Sequence, residues 1–267
     1  MHAPITGNTD WREILANPGE RDHTVQLYTD EGFLTNAVAH YAAAGLARGE
    51  GVIFVVTPEH RDAFQRRLVA EGLEVAALIE RGQLTVLDAA DTLSKFMTHG
   101  QPEARLFMPL VGGLIDGVAA RFPRVRAYGE MVNLLWKDGD LPAALRLEEL
   151  WNDLGRARPF SLHCAYAMDN FDRATHCCAL QGVHHSHSHL IPVEDYARLD
   201  TALSRALSEV LGPTGALVMK SVLVTRHQSG SSMPASQAAM LGLSELLPTA
   251  ADAVFERARR YYEAAAA

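Results

Sequence analysis

The run GVIFVVT, residues 51–57, constrains the fold more than any other stretch. It is continuously apolar and β-branched, the pattern of a strand covered on both faces inside a parallel sheet. Parallel strands need crossover helices, and the flanking sequence supplies them. Upstream, HTVQLY (23–28) reads as a short strand followed by the turn TDEG. In the next run, FLTNAVAHYAAAGLARG, Phe33, Leu34, Val38, Tyr41, Ala42 and Leu46 fall near helical spacing before a stop at Gly49. Downstream, PEHRDAFQRRLVAEG opens with a proline suited to a first helical turn, and QLTVLDAADTL predicts another buried strand ending in Asp88. Strands alternating with helices give right-handed crossovers. The expected fold class is α/β, with a mostly parallel sheet flanked by helices.

Further along, Leu106, Phe107, Leu110, Leu114 and Val118 predict an amphipathic helix from Pro102 to Phe122, despite Gly112 and Gly113. RVRAYGEM (124–131) predicts a strand, and a helix over 142–154 presents the stripe Leu147, Leu150, Trp151 and Leu154. FSLHCAYAM (160–168) alternates as a strand. Pro192 then closes the large domain. Four short segments follow, each bounded by Gly, Pro or Ser, and each reads as a helix. The expected organisation is a lead-in over 1–19, an α/β domain over 20–192 and a small all-α domain over 193–267.

Composition narrows the function. With 32 acidic against 24 basic residues and a formal charge of -8, the chain lacks a domain-wide footprint for phosphate backbones, so no direct nucleic-acid partner is expected. The first residues carry no charged n-region followed by an apolar h-region, and no run approaches the roughly 20 apolar residues of a membrane span. A cytoplasmic protein with no membrane partner is expected. The three cysteines, Cys164, Cys177 and Cys178, suit reduced thiols or metal ligands better than a disulfide framework.

Five ordered stretches resemble one family: HTVQLYTDEGFL, YAAAGLARGEGVIFVVTPEH, VLDAADTLSKFM, RAYGEMVNLLWKDGDLPAALRLEELWNDL and FSLHCAYAM, spanning roughly residues 20–190. They are similar to the MEDS domain, named for methanogens, methylotrophs and the regulator DcmR. The resemblance implies a RecA-like, KaiC-related fold and a sensor of small organic or hydrocarbon-like signals. It also implies coupling to a signalling protein such as a kinase, an anti-sigma factor or a regulator. The C-terminal helices resemble, more weakly, a helical module appended to bacterial signalling proteins. They offer no helix-turn-helix, so a repressor role does not carry over.

An active RecA-like ATPase would read G-x-x-x-x-G-K-[ST] after its first core strand, because backbone amides and a lysine must hold the phosphates. Here that turn is TDEGFLTNAV, where Asp30 and Glu31 put carboxylates in the phosphate position. ATP is therefore not expected. The crevice at the carboxyl ends of the strands is then free for a small-molecule signal. The ligand-binding residues expected there are His23, Tyr28, Asp30, Glu130, Trp136, Glu148, Trp151, Asn152 and Tyr166. Glu148 and Asn152 are four apart and share a helical face, with Trp151 beside them. The competing reading makes the tryptophans core anchors and pairs Glu148 with Arg146 or Arg156.

The segment from 163 to 189 concentrates six of the twelve histidines and all three cysteines. If VHHSHSH is extended, His185, His187 and His189 project from one face. With His176 and a thiolate from Cys177 or Cys178, they would make a zinc or copper site; haem is the other cofactor this composition suggests. Against this, the spacing matches no C-x-x-C motif, and a polar edge strand with titrating histidines explains the same residues. Cys164 reads as a core residue of its strand. No G-x-S-x-G surrounds Ser94, Ser161 or Ser186, and Glu130, Asp88 and His23 make an acid/base set only on paper. The chain therefore reads as non-catalytic, with a metal- or haem-dependent sensor and a residual nucleotide-dependent enzyme as alternatives. RecA-like domains and amphipathic helices both associate, which makes a homodimer the oligomer to look for.

Overall fold

A computed structural model of the chain describes residues 10–173, 175–176, 180–227 and 233–265. They form two compact units: residues 11–26 with 30–167, and Asp10, 27–29 and the described residues from Met168 onward.

The first unit opens with helix α1 (Trp11–Ala16), strand β1 (His23–Tyr28), α2 (Glu31–Ala47), β2 (Gly51–Val56) and α3 (Pro58–Ala70). It continues through α4 (Val75–Glu80), β3 (Leu84–Asp88), α5 (Ala89–Ser94) and the two-residue strands β4 (Met97–Thr98) and β5 (Gln101–Pro102), which form a separate hairpin. Then come α6 (Ala104–Ala119), β6 (Val125–Gly129), α7 (Met131–Lys137), α8 (Leu141–Ala157) and β7 (Ser161–Ala167). In the second unit, α9 (Leu180–His185) and β8 (His189–Ile191) precede α10 (Tyr196–Leu211), α11 (Pro213–His227), α12 (Ala235–Leu246) and α13 (Pro248–Ala264).

In the first unit the strands run in the order β3-β2-β6-β7-β1. β2 pairs in parallel with β3 and β6, and β6 with β7, as the alternation of strands and helices predicts. This is an α/β architecture consistent with a RecA-like fold. Every residue of β2 is buried, because helices cover both faces of the strand that GVIFVVT builds. β3 differs from the buried strand expected: it lies at the sheet edge, and Thr85, Val86 and Leu87 are only half-buried. One face of the sheet carries Phe54, Tyr128 and His163 toward α2 and α3; the other meets α6 and α8, where Phe107 packs edge-on to Trp151 at 5.2 Å.

In the second unit, α10 packs on α11 and α13, and α12 on α11 and α13. Asp195 caps α10 by accepting from the Arg198 amide, and Gly212 ends it at a φ of 75° that a side chain would resist. Residues Ser236 to Ser244 of α12 are all buried, as the small residues of ASQAAMLGLSEL allow. Asp200 of α10 accepts from Lys220 of α11 and from Ser236 of α12, each at 2.7 Å. No helix among the described residues is long and apolar enough to cross a membrane.

Candidate functional site

Helix α8 begins where Asp140 accepts from the Ala143 amide at 3.0 Å and Pro142 fixes the first turn. Its buried stripe is Ala143, Ala144, Leu147, Leu150, Trp151 and Leu154, with one charged member, the fully buried Glu148. Opposite this stripe, the pleat of β7 turns Leu162, Cys164 and Tyr166 to the α8 side. A polar cluster results. Tyr166 donates to Glu148 Oε1 at 2.8 Å, His23 Nε2 lies 3.3 Å from Glu148 Oε2 and 3.4 Å from Cys164 Sγ, and His23 Nδ1 meets Asn152 Oδ1 at 3.0 Å. Burial, and next the charge of Glu148, push the Cys164 thiol and the Tyr166 phenol well above their usual pKa ranges.

Beside His23 lies a cavity of about 150 Å³, lined by Arg21, Asp22, His23, Trp151, Asn152, Gly155, Arg156, Phe160 and Leu162. Trp151, Phe160 and Leu162 form an apolar wall, while His23 and Asn152 present polar atoms fixed by their mutual hydrogen bond. The cavity is partly open to solvent, and its lining also includes the charged residues Arg21, Asp22 and Arg156. The cavity sits at the amino ends of β1 and β7, since His23 opens β1 and Phe160 precedes β7.

A second cluster lies at the carboxyl ends of the strands. Glu130, at the end of β6, is buried and accepts from the Thr57 amide at 2.8 Å and the Tyr128 hydroxyl at 3.1 Å. His60, in the first turn of α3, bonds Glu130 through Nδ1 and Glu31 through Nε2, the latter at 2.8 Å. Asp30 caps α2 by accepting from the Phe33 amide at 2.6 Å. Burial of His60 acts to lower its pKa, but the hydrogen bond and charge of Glu130, and then those of Glu31, outweigh it and raise the pKa above 6.5. A folded pKa above the unfolded one means that the stability His60 contributes is complete below about pH 6.5 and lost as pH rises through the folded value. Urea midpoints measured at about pH 6 and about pH 9 should therefore fall more for the native protein than for His60→Gln; parallel falls would refute the assignment.

With this geometry in view, the comparison with known families is decisive: the family model for MEDS, the MEthanogen/methylotroph, DcmR Sensory domain, matches residues 22–188. The chain belongs to the MEDS family. No curated protein matches it. Membership makes this a sensory domain of signal transduction. The MEDS region holds every expected ligand-binding residue, but the structure divides them. His23, Glu148, Trp151, Asn152 and Tyr166 gather under α8, whereas Asp30 and Glu130 lie at the carboxyl ends. Along β1 alone, His23 and Tyr28 are five residues apart, about 17 Å in an extended strand. The expected residues therefore do not share one crevice: the cavity bearing His23, Trp151 and Asn152 is at the opposite ends of the strands from Asp30 and Glu130. Asp88, which caps α5, is at the carboxyl end of β3, so the paper triad with His23 is not assembled. Tyr28 is buried, and Trp136 donates to the Ala167 carbonyl at 3.1 Å. Trp151 is also the core anchor of the competing reading, packed edge-on to Phe107 and tilted against Phe160, but Arg146 and Arg156 pair with Glu149 and Asp153.

The histidine segment of this MEDS protein is not extended. Val183 to His185 are in α9, and Ser186 and His187 turn out of it, with Ser186 Oγ donating to the Gly182 carbonyl and His187 Nδ1 to the Val183 carbonyl. Only His189 reaches β8. His185, His187 and His189 therefore do not share one strand face; side chains bonding back to the preceding turn win over alternation. His185 is exposed and His187 buried. His176 is buried, with Nε2 bonded to the Asn170 carbonyl at 2.8 Å. Cys177 and Cys178 lie outside the described residues. Sequence reasoning missed His60 and the chemical engagement of Cys164. The one signal for the latter was Glu148, a charged residue in the buried phase of α8.

Proposed function

We propose that this MEDS protein is a non-catalytic sensor that takes a small, weakly polar organic molecule into the cavity beside His23 and reports it through α8 to a signalling protein such as a kinase, an anti-sigma factor or a regulator. The observation that carries the reading is the cavity itself: a volume of about 150 Å³ with an apolar wall of Trp151, Phe160 and Leu162 and a polar corner of His23 and Asn152. Such a site selects a compact molecule with one hydrogen-bonding group. Asn152 and Glu148 are one helical turn apart and both engage His23. A ligand that displaces His23 therefore acts on two points of α8, and it shifts the protein between states by binding one better than the other. The turn after β1 supports the absence of ATP, since the Asp30 carboxylate already takes an amide at the start of α2 where a phosphate would bind.

Gly155 offers the test. It lines the cavity, and a Cβ there would meet its nearest neighbour, Phe160, at 4.0 Å, an ordinary contact. Gly155→Leu should fill the cavity from a helix that tolerates leucine better than glycine. Thermal unfolding of the full chain with short alcohols, haloalkanes and benzene should show a raised Tm with at least one compound, and no rise in Gly155→Leu. A panel without effect on the native protein, or an equal rise in the variant, sinks the proposal.

A further inference from the structure

We propose that His23, Glu148 and Cys164 form a binding site for zinc or a similar borderline-soft divalent cation, whether or not the neighbouring cavity takes an organic ligand. The donors come from β1, α8 and β7, and all three side chains are buried. His23 Nε2 and Glu148 Oε2 are 3.3 Å apart, His23 Nε2 and Cys164 Sγ 3.4 Å, and Cys164 Sγ and Glu148 Oε2 4.0 Å. Zinc bonds of about 2.0 Å to nitrogen and oxygen and about 2.3 Å to sulfur set tetrahedral ligand atoms roughly 3.3–3.6 Å apart. Two of the three separations already fit, and a shift of a few tenths of an ångström in the thiol brings in the third.

Outer partners hold the donors in place. Asn152 Oδ1 accepts from His23 Nδ1, which turns the Nε2 lone pair inward, and Tyr166 donates to Glu148 Oε1, which leaves Oε2 facing the other two donors. Ligating imidazoles and carboxylates are oriented by hydrogen bonds of this kind. Charge also balances. A dication offsets one carboxylate and one thiolate, the imidazole stays neutral, and the thiol proton leaves to solvent as the sulfur–metal bond forms. Among N, O and S donors, one thiolate with one imidazole favours zinc over magnesium or calcium. His23 and Asn152 line the cavity, so an ion reaches the donors through it. These donors are far apart in sequence and differ from the histidine segment, except that Cys164 lies at its start.

The test uses the full chain stripped with a chelator and titrated with cobalt(II), then zinc. One equivalent of cobalt should bind, release a proton and give a thiolate-to-cobalt charge-transfer band that zinc bleaches. The band should persist in the Cys177→Ala/Cys178→Ala double variant and vanish in Cys164→Ala. Asn152→Ala should weaken cobalt binding about 10–100-fold. Gly155→Leu should keep the band at equilibrium, which separates this site from the organic ligand. No bound cobalt or zinc, a band that survives Cys164→Ala, or one lost in the double variant overturns the proposal. If Cys164→Ala does not fold, undiminished cobalt affinity in Asn152→Ala overturns it.

Discussion

Arg126→Ala should lower the free energy of unfolding by about 3–5 kcal/mol, the cost of leaving one member of a buried ion pair alone. Arg126 sits on β6 with 1% of its surface exposed, and its Nε donates to Glu50, itself 3% exposed. Three of the four remaining N–H groups are also used: Nη1 gives bonds to the carbonyls of Leu15 and Tyr41 at 2.9 and 3.0 Å, and Nη2 to that of Ala16 at 3.1 Å. One guanidinium thus caps the end of α1, fastens α2 and neutralises a carboxylate. Gly45 makes the arrangement fit, because a Cβ there would come within 2.6 Å of Arg126 Nε. Truncation strands the Glu50 charge, for which Arg124 at 3.8 Å is a partial and more exposed substitute. Replacing both partners, as Arg126→Met with Glu50→Leu, should recover part of the loss, since paired apolar substitutes avoid the desolvation penalty. Urea unfolding of the two variants and the native protein measures this. A single-variant loss below about 1 kcal/mol would mean that the pair behaves like a surface bridge.

What could be read from the sequence and what could not divide along physical lines. GVIFVVT announces its own environment, because a strand with two apolar faces has one stable place, and the helices over 104–119 and 141–157 repeat their apolar residues often enough for periodicity to register. Elements of two or three residues, such as β4, β5 and β8, are too short for a period to repeat. The site was legible only in pieces. Glu148 interrupts an apolar stripe and is visible as an anomaly, but its partners His23 and Cys164 become neighbours only because the sheet order sets β1 beside β7. Cys164 is a core residue as expected, and it engages two polar groups besides. His60 lies in PEHRDAF, which looks like a solvated first turn; its bond to Glu130 depends on β2 pairing with β6. Alternation in VHHSHSH pointed to a strand, yet local side-chain bonds to the preceding turn decide the matter, and a pattern of side-chain polarity does not report them.

In the second unit, acid should act through His176. This histidine is fully buried, its ring centroid lies 5.0 Å from that of Phe255, its Nε2 donates to the Asn170 carbonyl, and its Nδ1 has no partner among the described residues. Burial pushes its pKa down to about 4, against the smaller upward pulls of the Asn170 carbonyl and the charges of Asp172 and Asp169. The unfolded chain takes up the proton near pH 6.5, while the folded one resists it until about pH 4. Between those values the unfolded state binds more protons, so stability falls as pH falls. A difference of this size amounts to about 3 kcal/mol once pH reaches the lower value. The comparison that isolates it is the change in unfolding free energy between about pH 7 and about pH 4, for the native protein and for His176→Gln. Glutamine keeps a donor for the Asn170 carbonyl but does not titrate, and any constant cost of the substitution cancels in the difference. The native protein should lose about 3 kcal/mol more than the variant. Equal losses would mean that His176 accepts its proton in the folded state, by opening its pocket or by finding a partner for Nδ1.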